Sequence, residues 1–386
     1  MRANVLTDAR LLKLAGQFAW LDIDTEKPRN FAFVEQFPIE AWPTILVIDP
    51  AGEKVVLRWM GTATVEELEK LLAGAGKTLR HEGTDAAGVA MARGAALASE
   101  RKHGEAAAAF AKALSAGGVK WTGRAGAADA LLQALSVSGD PVPCADAALR
   151  LLPTLPPGPA AARVAAVGLT CATSLEVPAA RAGAMAALEP AARGALLFPG
   201  VLTDDRSGLY EALMGARKAS QDVAGARVVA RKWLDWIEAE SARATTPLYR
   251  SAFDGARLGA AMTLGEVARV LPALEASARA LPGEYFALAY LARGYLEAGR
   301  PREAAATAKA AAALAEGPRK VNVLLVEARA LRAAGDAAGA MGAVDEAIRH
   351  GEALPEAVRP RGALSAARTL RDELLKGAPG KPAAAR

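Results

Sequence analysis

The period of the hydrophobic positions changes near residue 80. Before it, the pattern alternates between helical and extended stretches. Asp8 to Gly16 reads as a helix with Leu11, Leu12 and Leu14 apolar, stopped by Gly16. Phe18 to Ile23 has a short strand pattern, and Asn30 to Phe37 is helix-like. The run Ile45-Leu46-Val47-Ile48 is too short for a helix and fits a strand buried on both faces. Asp49-Pro50-Ala51-Gly52 places Pro and Gly where a turn wants them, and Lys54 to Met60 is the returning strand of a hairpin. Thr64 caps a helix from Val65 to Leu72, with Glu66 and Glu67 in its positive first turn. Helix, strand, helix, strand, strand, helix is an α/β order.

From about Asp85 the strand pattern disappears, and alanine-rich helical segments alternate with short breakers. The small and large positions Gly94, Leu97, Ala106, Phe110 and Ala113 are spaced in the same way as Ala292, Tyr295, Ala304, Ala308 and Ala311. Ala328, Leu331, Ala340, Val344 and Ala347 repeat the spacing again. Gly299 and Gly335 fall at the turn of the last two copies. Looser copies run through Leu132, Leu135, Gly139, Cys144, Ala148 and Leu151, and through Gly168, Cys171, Ala180, Ala184 and Ala187. Weaker ones span Met214 to Trp233 and Leu258 to Ser277. This spacing resembles the tetratricopeptide repeat (TPR), in which small residues let two antiparallel helices pack closely. The resemblance implies up to seven helix pairs, with Gly362 to Leu375 covering the open end and Gly377 to Arg386 a disordered tail. It also implies a groove lined by the first helix of each pair, which binds polypeptides. Arg293 and Arg329 hold equivalent places in adjacent repeats. With Asn322 and Arg332 they are placed to form a basic strip for an acidic peptide or carboxylate.

Residues 1 to about 75 resemble the C-terminal three-quarters of a thioredoxin domain. The residues that carry this are Trp42-Pro43-Thr44 immediately before an apolar strand, the Asp-Pro-Ala-Gly turn, Gly61, the acidic-capped last helix, and Leu21-Asp22-Ile23-Asp24 as a central strand. The resemblance implies a cis Trp42–Pro43 bond and a peptide-binding loop of Trp42, Pro43 and Thr44 beside an open backbone edge. The first strand and the Cys-x-x-Cys pair of that family are missing, since no Cys precedes Cys144. Two explanations stand: a chain whose start lies downstream of the redox motif, which is favoured, or a natural redox-inactive remnant. The expected fold is therefore an α/β partial thioredoxin-like domain over 1–77 and an all-α TPR-type helical solenoid over 85–376, with a tail at 377–386.

Composition narrows the chemistry. The 386 residues contain 3 His and 2 Cys, too few for a disulfide scaffold or a multi-Cys metal centre. Net charge is +5 with 5% aromatics, and the basic excess is diffuse, which argues against nucleic acid. There is no P-loop, Gly-x-Gly-x-x-Gly, His-Glu-x-x-His or Gly-x-Ser-x-Gly motif. His81, His103 and His350 lie far apart, and His81 sits in the linker. Trp233 and Trp236 read as core. Cys144 and Cys171 fall in helices that pack together, and both stand in for small apolar residues. They read as buried, reduced structural thiols with no catalytic role. No apolar run has the length of a membrane span.

No catalytic residue, metal or cofactor is therefore assigned. The expected function is a protein-interaction module that binds polypeptide partners. The alternative is a thiol–disulfide oxidoreductase or redox chaperone whose Cys-x-x-Cys lies upstream of Met1. The expected location is cytoplasmic, or exported if a signal peptide precedes Met1.

Overall fold

A computed structural model describes residues 5–80 and 85–377. His81 and the expected tail beyond Gly377 lie outside the described residues. The chain forms two compact units, one of residues 1–20 with 37–229 and one of residues 21–36 with 230–386.

The first unit opens with a 3-10 helix, Ala9–Leu14, capped by the Asp8 carboxylate, which accepts from the Arg10 backbone N–H. The α-helix expected over Asp8 to Gly16 is thus a tighter and shorter element. Gly16 ends it in the left-handed region, at φ 78°. Strands β1 (Thr44–Asp49) and β2 (Lys54–Met60) pair antiparallel around the Asp49–Gly52 turn, where Asp49 Oδ1 accepts from the Ala51 N–H. The Trp42–Pro43 peptide is cis.

The thioredoxin-like reading is corrected here. Among the described residues the sheet holds these two strands alone. The expected strand at Phe18–Ile23 is irregular, and Leu21 is 78% exposed, which a central strand cannot be. β1 is not covered on both faces either, because Val47 is its one buried residue. The redox reading that rested on the resemblance loses its support with it.

The second unit begins with the segment 21–36. A 3-10 turn, Pro28–Asn30, leads into helix α1 (Phe31–Gln36), which packs on the 3-10 turn Glu356–Val358.

In the first unit, α2 (Val65–Leu79) follows the hairpin. Thr64 Oγ1 accepts from the Glu67 N–H, and the Glu67 carboxylate accepts from the Thr64 N–H. Such a reciprocal cap stabilises a helix by about 1 kcal/mol. Val5, Leu11, Leu14, Val47, Trp59, Leu68 and Leu72 share one apolar core.

Antiparallel helix pairs then take over. These are α3 (Ala86–Ser99) with α4 (His103–Gly117), α5 (Arg124–Ser138) with α6 (Pro141–Leu151), and α7 (Pro159–Thr173) with α8 (Pro178–Ala195). Helix α9 (Thr203–Ala219) packs on α7 and α8, and α10 (Val223–Arg243) carries the chain onward.

In the second unit the short α11 (Pro247–Ser251) precedes α12 (Asp254–Leu264) with α13 (Val267–Ala280). The pairs α14 (Tyr285–Glu297) with α15 (Pro301–Leu314) and α16 (Gly317–Ala333) with α17 (Ala337–Ala353) follow. Helix α18 (Arg361–Leu375) packs on α16 and α17.

The repeat spacing is realised as packing. Ala292, Ala304, Ala308 and Ala311 are fully buried, and so are Ala328, Ala340, Val344 and Ala347. Gly94 faces Phe110 so closely that a Cβ there would meet the ring. Gly299 (φ 73°) and Gly335 (φ 86°) turn the chain between the helices of the last two pairs in a conformation that costs other residues energy. The α7/α8 copy departs from the pattern. Ala180 and Ala187 are exposed; Ala184 is buried as the spacing expects, and α8 buries Met185, Leu188 and Ala192 beside it.

Cys144 and Cys171 are joined by a disulfide between α6 and α7, with Cα atoms 6.0 Å apart. The expectation of two reduced thiols is corrected. The helices do pack together, as expected, and the Cα separation lies inside the range that permits a bridge. Both Cys are buried.

Candidate functional site

The second unit seats one carboxylate on the leading ends of two helices. Tyr285 begins α14, and Arg319 lies in the first turn of α16. The Tyr285 hydroxyl donates to Glu26 Oε1 at 3.1 Å, and Arg319 Nε donates to the same oxygen at 3.0 Å. Lys27 Nζ donates to Glu316 Oε1 at 3.1 Å. The Asp24 carboxylate accepts from the Glu26 N–H, and the Asp24 carbonyl accepts from the Asn30 side chain, so the segment arrives already turned. Gly317 has φ 51°, and a Cβ there would lie 2.6 Å from the Glu26 carbonyl oxygen. Only glycine lets the two backbones approach so closely. Burial and the neighbouring Glu26 carboxylate hold the Tyr285 hydroxyl well above the ordinary phenol range.

Arg293, on α14, and Arg329, on α16, are exposed, as is Asn322. Asn322 and Arg329 are seven residues apart, two helical turns, and so share one face of α16. Arg332 does not join them. Its Nη1 donates to Glu373 Oε2 of α18 at 2.6 Å, so its charge is spent on the covering helix. In the first unit, Trp42 is 57% exposed. The Pro43 carbonyl accepts from the Gly61 N–H, and the Thr44 hydroxyl donates to the Ala41 carbonyl at 2.6 Å. Among the described residues β1 has no strand on its other edge.

Two buried charge clusters were not read from the sequence. In the first unit, Arg163 of α7 donates to Asp129 Oδ2 of α5 at 2.6 Å, to Glu67 Oε1 of α2 at 2.7 Å and to Asp205 Oδ2 of α9 at 3.1 Å. The Trp59 ring covers the guanidinium, and the Thr62 hydroxyl donates to Asp205. Burial pushes Asp205 up to about 6 against the pull of Arg163, and raises Asp129 as well. In the second unit, Arg257 is surrounded by Asp254, Glu238 and Ser241, and burial pushes Asp254 up to about 6. The available signal was a lone charge inside an apolar helical run, such as Arg163 between Ala162 and Val164, or Asp129 between Ala128 and Ala130.

Trp233 is buried, as expected of a core residue. Among the described residues no cluster of His, Cys, Asp or Glu is placed to hold a metal, and no helix is long and apolar enough to cross a membrane.

No protein-family model and no curated protein sequence matches the chain. Among solved structures, the chain is similar to the TPR2AB-domain–pHSP90 complex of yeast Sti1 at 13% identity and a TM-score of 0.26. That match covers 75% of this chain and 98% of the other. On the packing of its last two helix pairs, with small residues buried at their crossings and glycine at their turns, the chain carries a TPR-like helical repeat region.

Proposed function

We propose that this chain is a polypeptide-binding interaction protein, and that the first helices of its last two pairs receive an acidic peptide. The observation that carries this reading is the seat of Glu26. A carboxylate on a turned segment of chain is already held by Tyr285 and Arg319 at the start of α14 and α16. The exposed Arg293 and Arg329 extend the same chemistry along those two helices, with Asn322 as a neutral hydrogen-bonding partner. A peptide with spaced Glu or Asp side chains finds a guanidinium on each of two successive helices. Trp42, Pro43 and Thr44, beside the open edge of β1, offer a separate contact for an extended chain. The disulfide between Cys144 and Cys171 favours an oxidising compartment, and hence the exported alternative over the cytoplasmic one.

The test is fluorescence anisotropy with a labelled oligoglutamate peptide. Binding is expected to weaken with salt, and to weaken by about tenfold or more in an Arg293→Ala, Arg329→Ala double variant. A double variant that binds as tightly as the parent removes the basic strip from the reading.

A further inference from the structure

A cavity of about 700 Å³ opens in the first unit between the end of α6, the start of α7 and the end of α8. Its size falls among sites that take small molecules, about 300–1,000 Å³. Every residue lining it is Leu, Pro, Ala, Gly or Phe, with Leu149, Leu152, Leu155, Leu188, Leu197 and Phe198 supplying the bulk. No lining side chain offers a hydrogen bond. Backbone groups in the wall are largely spoken for. The Leu155 N–H donates to the Leu152 carbonyl, the Leu197 N–H to the Gly194 carbonyl and the Phe198 N–H to the Ala195 carbonyl. A peptide laid in such a cavity would leave its own amides without partners, whereas a hydrocarbon chain loses nothing.

The rim has the opposite character. Arg206 Nη2 donates to the carbonyl of Phe198, itself a wall residue, at 2.9 Å. Arg124 Nη2 donates at 2.9 Å to Thr154 Oγ1, and Thr154 sits between the wall residues Pro153 and Leu155. The carboxylate next to the wall, Glu189, is held by Arg193 and Arg217. Two guanidinium groups, those of Arg206 and Arg124, thus lie on neutral oxygens of the wall and of the residue beside it. Leu197, 85% exposed, stands at the mouth, where an unpartnered leucine gains from being covered.

We propose that this cavity is a binding site for a long-chain fatty acid, with the hydrocarbon chain inside and the carboxylate at the arginine rim. The site is independent of the acidic-peptide strip and does not depend on it.

The probe is cis-parinaric acid titrated into the full chain, followed by its fluorescence. A saturable rise with a stoichiometry of one is expected. Dodecanoate should displace the probe, and dodecyltrimethylammonium, with the same chain and the opposite charge, should need about tenfold more. Two variants test the location. A Cβ at Gly194 meets nothing within 4 Å, so Gly194→Phe fills the cavity from a wall position without a clash at its base. Leu197→Glu places a like charge at an exposed site. Each should weaken binding by about tenfold or more while circular dichroism stays unchanged. The proposal is overturned if the rise is absent or does not saturate, or if both folded variants bind as tightly as the parent. It is also overturned if the ammonium competes as well as the carboxylate. A dimer by sedimentation equilibrium that Leu197→Glu dissociates, with no fatty acid bound, would assign the cavity to a second copy instead.

Discussion

Arg163 Nε lies 2.6 Å from Asp129 Oδ2, with both side chains almost wholly withdrawn from water and two further carboxylates on the same guanidinium. Three carboxylates share one cation, so the cluster holds more negative than positive charge in a medium that resists either. Arg163→Met removes the cation and leaves Asp129, Glu67 and Asp205 uncompensated. The expected loss is about 3–5 kcal/mol at neutral pH, measured by urea unfolding. A loss under about 1 kcal/mol would mean that the carboxylates take up protons at little cost.

The acidity of Asp205 gives that cluster a pH signature. Its folded value, about 6, lies above its ordinary value of 3.8. The folded state therefore holds a proton that the unfolded chain has released across that window. Stability is greatest below the unfolded value and falls as pH rises toward 6, levelling off above it. Asp205→Asn cannot titrate; its one amide oxygen can accept from Arg163 while its NH2 donates to the Thr62 hydroxyl, in place of the two carboxylate oxygens that serve them now. The stability of the parent relative to this variant should fall between about pH 4 and pH 6. Parallel stability profiles would show that Asp205 does not hold the proton.

The bridge between Cys144 and Cys171 spans 27 residues of sequence. Closing a loop of that size restricts the unfolded chain by about 3–4 kcal/mol in the chain-entropy account. Unfolding in denaturant without reductant should expose no free thiol, and a Cys144→Ser, Cys171→Ser double variant should melt at a lower temperature. Two titratable thiols in the unreduced protein would show the bridge to be absent.

Gly94 and Gly215 make a matched pair of helix glycines. Ala at Gly215 meets nothing within 4 Å and should gain up to about 1 kcal/mol in helix propensity. Ala at Gly94 drives its methyl into the buried Phe110 ring and should cost about 1–3 kcal/mol despite the same propensity gain. Chemical unfolding of the two variants should give opposite signs.

What the sequence made legible follows from how local each constraint is. The hairpin was readable because Ile45 to Ile48, the Asp49–Gly52 turn and the returning strand lie side by side in the chain. The last two helix pairs were readable because packing demands a small residue at the same place each time, as at Ala304 and Ala340. The sheet expected around the hairpin required Leu21 to Asp24 as a partner, and local pattern cannot say what a strand-like segment pairs with. Here that segment turns through Asp24 and joins the second unit. In the same way, nothing in the spacing of Glu67, Asp129, Arg163 and Asp205 announces that one guanidinium meets all three carboxylates. The seat of Glu26 was equally hidden, with its partners far along the chain.

That last separation has a consequence for how the protein is made. Glu26 and Arg319 are 293 residues apart. A ribosome adds roughly 5–20 residues each second, so the segment that carries Glu26 emerges on the order of 15–60 s before the helix that receives it. During that interval residues 21–36 have no place to dock, while the neighbouring stretches of the first unit can already assemble around the hairpin. The second unit is completed only after the helix that carries Arg319 has emerged, and by a piece of chain made long before it.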